Sequence, residues 1–311
     1  MTAEKTPSRP QDFGFAAPHD VPIPYMRRTR DYYLALGYPK PYEWAHYADA
    51  PFAPRRKPLA QSTIALITTA ALVPPGSNAP RSGPYSADFK FYQPWSAPSD
   101  GAFDLRIHHV AIDYDHADQT DQASFFPLAA LGDAARAGRI GRVTPRVHGA
   151  PTNRSHRTTI GSDAPDLVRR CIDDGADAAI LVPNCPICHQ TLALTSRALE
   201  EAGIATVVMG AAKDIVEQVG VARFLFSDFP LGNSAGKPHD RESQRETLAF
   251  ALDLLERAPG PRTTMQSPQR WSASADWKRD YANAEGLTQD EIAQRRIAFE
   301  RIGEATKKIK G

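Results

Sequence analysis

From Ser62 onward, apolar residues come in short unbroken runs, separated by segments where they recur every three or four positions. "TIALITTAAL" (63–72) opens the series, and a continuous apolar run of that length marks a strand buried on both faces of a sheet. "LRIHHVAID" (105–113) reads as a second strand, and "GRVTPRVHG" (141–149) as a third, weakened by Pro145, which has no N–H to give to a ladder. "ADAAILVP" (176–183), "IATVVMG" (204–210) and "ARFLFSD" (222–228) complete the set. Helical spacing predicts a helix over 127–138, with Leu128, Leu131 and Ala135 aligned, and one over 162–175, with Ala164, Leu167, Val168, Cys171 and Ile172 on one face. Further helices are expected over 189–203, 211–219 and 240–257. Pro127 suits a first helical turn, and Gly138 and Gly203 suit C-terminal stops. Strands alternating with helices imply an α/β fold: a doubly wound, mostly parallel sheet with helices on both faces.

The flanks break this rhythm. Residues 1–60 form a Pro- and aromatic-rich N-terminal arm with one helix expected at 25–36; the α/β core is expected to span 61–258. Residues 259–311 form a C-terminal extension, in which Thr288 and Glu291 have capping-box spacing. Ile292, Phe299, Ile302 and Ile309 then make a sparse apolar stripe on a charged helix. Exposed Tyr and Trp in an arm need a surface to bury against, so the arm is expected to wrap the core or a neighbouring subunit. Arm and stripe together point to a homo-oligomer.

Charge narrows the partners. With 37 basic and 36 acidic residues and a net charge of +1, neither nucleic acid nor a membrane surface is an expected partner. No apolar h-region opens the chain, and no stretch approaches the ~20 apolar residues of a membrane span, so a cytoplasmic protein acting on a small molecule is expected. Three cysteines among 311 residues do not make a disulfide scaffold, and in a reducing compartment a C-x-x-C is redox-active or metal-binding.

That pair lies in "LVPNCPICHQT" (181–191), where a buried strand passes into a helix. Cys171 falls on the apolar face of its own helix and reads as an inert buried thiol. Cys185 and Cys188 sit at the C-terminal end of a strand, where open α/β sheets gather ligands, and at a helix start, whose dipole lowers a thiol's pKa. The spacing lets Cys188 attack a sulfur bond at Cys185 and release it as a disulfide. Two other readings stay open: inert thiols, or a zinc site completed by His108, His109, His148 or His189, since structural zinc takes four ligands. Around the pair, Asp113 is a candidate acid or base at a strand end, and His148 a candidate proton donor. His109, Arg154 (or Arg157) and Asn184 are candidate substrate contacts, Asn184 with helix capping as its other role. "GNSAGKP" (232–238), with Asn233, reads as a tight loop lining the pocket. It has neither dinucleotide nor P-loop spacing, and no resident cofactor is expected.

"DGADAAILVPNCPICHQTLALTSRALEEAGIATVVMG", "HHVAID", "DQASFFPLAALGDAARAGRIG" and "FPLGNSAGKP" together resemble the selenoprotein subunit of D-proline reductase. They are also similar, more distantly, to the component B selenoprotein of glycine, sarcosine and betaine reductases. The resemblance runs from about Ile64 to Leu255. It implies that Cys185 stands where those proteins carry selenocysteine and acts as the nucleophile, with Cys188 as the resolving thiol. It implies a reductase that cleaves a carbon–heteroatom bond and is recycled by a dithiol donor such as a thioredoxin-like protein. A pyruvoyl-bearing partner subunit serves the proline and glycine enzymes. The chain departs from the pattern in carrying cysteine for selenocysteine, in a loop about one residue longer after Asp113, and in both flanks.

Overall fold

The computed structural model describes residues 17–40, 42–73, 91–102, 104–107, 111–152, 155–281 and 283–310. His108, His109 and Arg154, together with the side chains of Phe299, Ile302 and Ile309, lie outside the described set. The strands are β1 (Thr63–Thr68), β2 (Ala71–Leu72), β3 (Trp95–Pro98), β4 (Leu105–Arg106), β5 (Arg142–Val143), β6 (Arg146–Gly149), β7 (Ala178–Val182), β8 (Ala205–Gly210), β9 (Arg223–Phe226) and β10 (Thr263–Gln266). The helices are α1 (Tyr25–Ala35), α2 (Leu128–Arg136), α3 (His156–Thr158), α4 (Ala164–Asp173), α5 (Pro186–Glu201), α6 (Lys213–Val219), α7 (Arg241–Arg257), α8 (Trp277–Asp280) and α9 (Gln289–Lys310).

The main sheet runs β10-β9-β8-β7-β1-β6-β3, with β5 also on β1. Every pairing in it is parallel except that of the edge strand β3 with β6. Period-2 alternation splits the central strands between two cores. Ile64, Leu66, Ile180, Val182 and Val207 face one way, against Leu131 of α2 and Leu248, Leu252 and Leu255 of α7. Ala65, Ile67, Ala179, Leu181 and Val208 face the other, against Leu167 of α4, Leu192 and Leu199 of α5, and Val216 of α6. Helices on both faces of a mostly parallel sheet make the doubly wound α/β fold that the alternation predicted.

Several boundaries move. Among the described residues of 105–113 the only strand is β4, which pairs antiparallel with β2 in a ribbon of its own. Asp113 closes a turn instead, its Oδ1 accepting the His116 N–H at 2.9 Å. The run 141–149 divides at Thr144–Pro145 into β5 and β6, both parallel to β1, because Pro145 has no donor for the ladder. The core does not end at 258: β10 adds Thr263–Gln266 to the sheet beside β9. Ile172, expected on the buried face of α4, is 56% exposed. The edge strand β3 had no clear pattern, yet it needs Gly149 opposite: a Cβ there would lie 1.9 Å from Trp95 Nε1. No helix among the described residues is long and apolar enough to cross a membrane.

Candidate functional site

The chain leaves β1 for β6 on one side, then crosses to β7 on the other side. The crevice beyond the C-terminal ends of β1 and β7 is therefore the topological switch point, where such sheets bind ligands. Thr68 and Thr69 bring β1 to this point, and Asn184 and Cys185 bring β7. The Asn184 backbone N–H donates to Thr69 Oγ1 at 3.1 Å, and its Nδ2 donates to Thr69 Oγ1 at 3.2 Å and Thr68 Oγ1 at 3.4 Å. Asn184 thus laces the two strand ends together and leaves its buried Oδ1 without a partner among the described residues.

Helix α5 begins earlier than the periodicity suggested. Pro186 takes the first helical position, so Cys185, not Asn184, is the N-cap, and its Sγ accepts the Cys188 N–H at 3.2 Å. A sulfur in that position meets an unpaired helix N–H and the positive end of the dipole, both of which favour its thiolate. Cys185 and Cys188 are joined as a disulfide with Cα atoms 4.9 Å apart. The two differ in exposure: Cys185 is 0% exposed, Cys188 5%. Thr152, half-buried just past the end of β6, places Oγ1 3.2 Å from Cys188 Sγ. Cys171 is buried and free, and burial pushes its thiol up to about 12.

His189, one turn after Cys185, is fully buried. Its Nε2 accepts the N–H groups of Ala211 at 2.9 Å and Ala212 at 3.2 Å, so that nitrogen carries no proton. The proton is on Nδ1, which donates to the Cys185 carbonyl at 2.7 Å. Burial lowers its pKa to about 4. With both nitrogens engaged, the ring anchors the Cys185 backbone to the start of α6. Among the described residues no group of three or more His, Cys, Asp or Glu is placed to hold a metal.

The loop after β9 covers the motif. Ser234 Oγ donates to the Pro183 carbonyl at 2.7 Å, and the Ala235 N–H to the Ser124 carbonyl at 2.8 Å. Asn233 donates Nδ2 to the Pro230 carbonyl at 3.2 Å, and its buried Oδ1 has no partner among the described residues. Gly232 adopts φ 99°, and a Cβ there would meet Gln119 Oε1 at 2.6 Å. Gln119 is itself buried, with neither amide atom paired among the described residues. The loop is therefore tied to the strand end before Asn184 by Ser234, with Asn233 beside it in sequence and Gln119 packed against Gly232.

The other candidates are tied elsewhere. His148 is buried on the face that β6 shares with Ile67, its Nδ1 2.9 Å from Ser96 Oγ and its Nε2 3.2 Å from Asp174 Oδ2. That last approach lacks hydrogen-bond alignment, and burial lowers the ring's pKa to about 4 despite the carboxylate. Arg146 holds the other Asp174 oxygen at 2.7 Å, so His148 belongs to a charged cluster joining β6 to the end of α4. Asp113 is held by His116, and burial raises its pKa. Arg157 is exposed on α3. Sequence reasoning passed over Thr68, Thr69, Thr152, Ser234 and Gln119. The threonines had a usable signal, each being a hydroxyl at the C-terminal end of a parallel strand; Gln119 had none.

The fold and site define a doubly wound α/β protein with a Cys-Pro-Ile-Cys disulfide capping a helix at the switch point of its sheet. In sequence the chain is 26% identical over 225 residues to D-proline reductase subunit gamma of Acetoanaerobium sticklandii, a match covering 71% of this chain and 90% of that protein. In sequence, then, the chain is similar to a subunit of a proline reductase. No protein-family model matches it, and no solved structure matches it.

Proposed function

We propose that the chain is a thiol-dependent reductase subunit that cleaves a C–N or C–S bond in a small polar, amino-acid- or betaine-like substrate. The observation that carries this reading is Cys185 Sγ at the N-cap of α5, bonded to its partner three residues on, at the sheet's switch point. In the cycle, the Cys185 thiolate attacks the substrate carbon and the amine or thiol leaves with a proton. The Cys188 thiolate then attacks Cys185 Sγ, the carbon takes a proton as the C–S bond breaks, and the disulfide forms. A dithiol, such as a thioredoxin-like protein, returns the two electrons.

The relative is named as a subunit of D-proline reductase, which supports a role beside partner subunits, one of them pyruvoyl-bearing where the leaving amine needs activation. Asn184 and Asn233 supply acceptor oxygens, unpaired among the described residues, for substrate N–H groups, and His109 and Arg154 are further substrate contacts of this reading; Asp113 and His148, held by His116 and beside Asp174, are left to structural roles. The test is a pair of variants assayed against candidate substrates with a dithiol. Cys185→Ser abolishes turnover with the fold intact, since a hydroxyl of pKa far above 7 cannot serve as the nucleophile. Cys188→Ser permits the first step and accumulates an adduct on Cys185 visible by mass spectrometry. Full activity in Cys185→Ser removes the mechanism.

A further inference from the structure

The two sulfurs of the disulfide are not equivalent. Cys185 Sγ lies inward, against the N–H of Cys188, in a residue with no exposed surface. Cys188 keeps a small exposed area, and its Sγ is contacted by the hydroxyl of Thr152, which is itself half-buried. Thiol–disulfide exchange is governed by which sulfur the incoming thiolate reaches and by how stable the departing thiolate is. Both considerations select one direction. Reach favours Cys188, and stability favours Cys185 as the leaving group, because the helix N-terminus receives its charge.

We propose that the oxidised pair is reduced from the Cys188 side, with Thr152 as the positioning residue at the point of attack. This rests on the reductase reading above and deepens it. One thiolate of an external dithiol attacks Cys188 Sγ, forming a mixed disulfide there, and the electron pair of the broken S–S bond leaves on Cys185. The second thiolate of the donor then attacks the donor sulfur of that mixed disulfide. The donor departs as its own disulfide, and Cys188 departs as a thiolate that takes a proton from solvent while accepting the Thr152 O–H. Each round of reduction thus delivers Cys185 directly as the charged nucleophile. The direction is opposite to one in which the N-cap cysteine is itself the target of the donor.

The experiment treats the full-length oxidised protein with a monothiol, glutathione, in the presence of excess iodoacetamide, followed by peptide mapping. The expected product carries glutathione on Cys188 and carbamidomethyl on Cys185, in at least tenfold excess over the reverse pattern. Glutathione on Cys185, or equal amounts of both patterns, overturns the proposed direction while leaving a redox-active pair intact. Protein that forms no Cys185–Cys188 disulfide on oxidation with diamide removes the reductase reading and the direction together. Thr152→Val, which keeps shape and loses the hydroxyl, is expected to slow reduction by a dithiol severalfold with the adduct still on Cys188, and Thr152→Ser to restore the rate. Wild-type kinetics in Thr152→Val would strip Thr152 of its role.

Discussion

A proton added to His189 at Nε2 would displace two backbone N–H donors, and this gives the protein a pH dependence of defined sign. The folded ring has a pKa of about 4, against about 6.5 in an unfolded chain. Between those values the unfolded chain binds the proton and the folded one does not. The histidine's contribution is therefore complete above about pH 6.5 and lost as the pH falls toward 4, a change of roughly 3 kcal/mol at 1.36 kcal/mol per unit. Asp214 works the other way: burial raises it from 3.8 to about 6, so its contribution is present at low pH and fades as pH rises through that value. The net curve mixes both, and comparison with His189→Gln isolates the histidine. In urea melts the stability gap between wild type and variant is expected to narrow by roughly 2–3 kcal/mol from pH 7 to 4.5; a gap independent of pH refutes the neutral-ring assignment. No local pattern shows this role. His189 reads in the sequence only as a histidine next to a C-x-x-C, because its two donors begin a helix twenty-two residues further on.

Helix α5 is buried on almost every side, more than one amphipathic face explains, and the arm is the reason. Gln190 Oε1 accepts the Ala45 N–H at 2.7 Å and Gln190 Nε2 donates to Tyr42 Oη at 2.6 Å. Arg197 stacks over the Tyr47 ring at 4.0 Å and donates to the Asp49 carbonyl at 2.7 Å. Further along, Glu200 accepts the Ala53 N–H. The three helix positions share one face, and the arm runs along it in step with the helix, so the arm wraps its own core. Its end is fixed by a buried ion pair, Glu200 Oε1 to Arg223 at 2.9 Å, with the guanidinium 4.0 Å over Phe52. Burial pushes the Glu200 carboxyl up and the Arg223 guanidinium down. Against this, donors from Thr206, Ala53 and Arg223 favour the carboxylate, and the ionised pair is the state that this geometry supports. Removing one member leaves the other charged and buried, so Arg223→Met is expected to cost about 3–5 kcal/mol, and Arg223→Met with Glu200→Gln distinctly less, measured by denaturant melts. Equal losses would mean the pair is not ionised. The strands and helices of the core were legible because periodicity is a local signal. The arm's path was not, since prolines tell only that it is extended, and its partners are about 147 residues away.

The whole molecule closes through its two flanks. Tyr25 and Ile23 pack with Trp277, Tyr281, Ala212, Ile215 and Leu231, and Arg28 donates to the carbonyls of Lys278 and Tyr281. Lys278, 3% exposed, bridges Asp20 at 3.0 Å and Asp228 beyond the end of β9. None of this was legible in the C-terminal extension, where a lysine between two aromatics carries no periodic signal. By contrast, the capping box at Thr288 forms as expected, with Glu291 Oε2 accepting the Thr288 N–H at 2.8 Å. Two truncations separate these parts. Ending the chain at Arg270 removes Trp277, Lys278 and Tyr281, leaving Asp20 and Asp228 without their lysine. Each aromatic costs about 3–5 kcal/mol, and loss of the lysine adds to this, so against a typical stability of about 5–15 kcal/mol this form is expected to unfold or aggregate. Ending it at Gly286 removes α9 with its capping Thr288, and residues 291–297 of that helix are exposed except for half-buried Ile292, so folding and Cys185–Cys188 oxidation are expected to survive. The arm's described aromatics are buried or half-buried within the subunit, which leaves the apolar stripe of α9 as the main sequence feature that argues for association. Light scattering is then expected to give a smaller assembly for the Gly286 form than for the full chain. The same mass for both would place any subunit interface elsewhere on the core, and a monomer of 34.1 kDa for the full chain would end the expectation of a homo-oligomer.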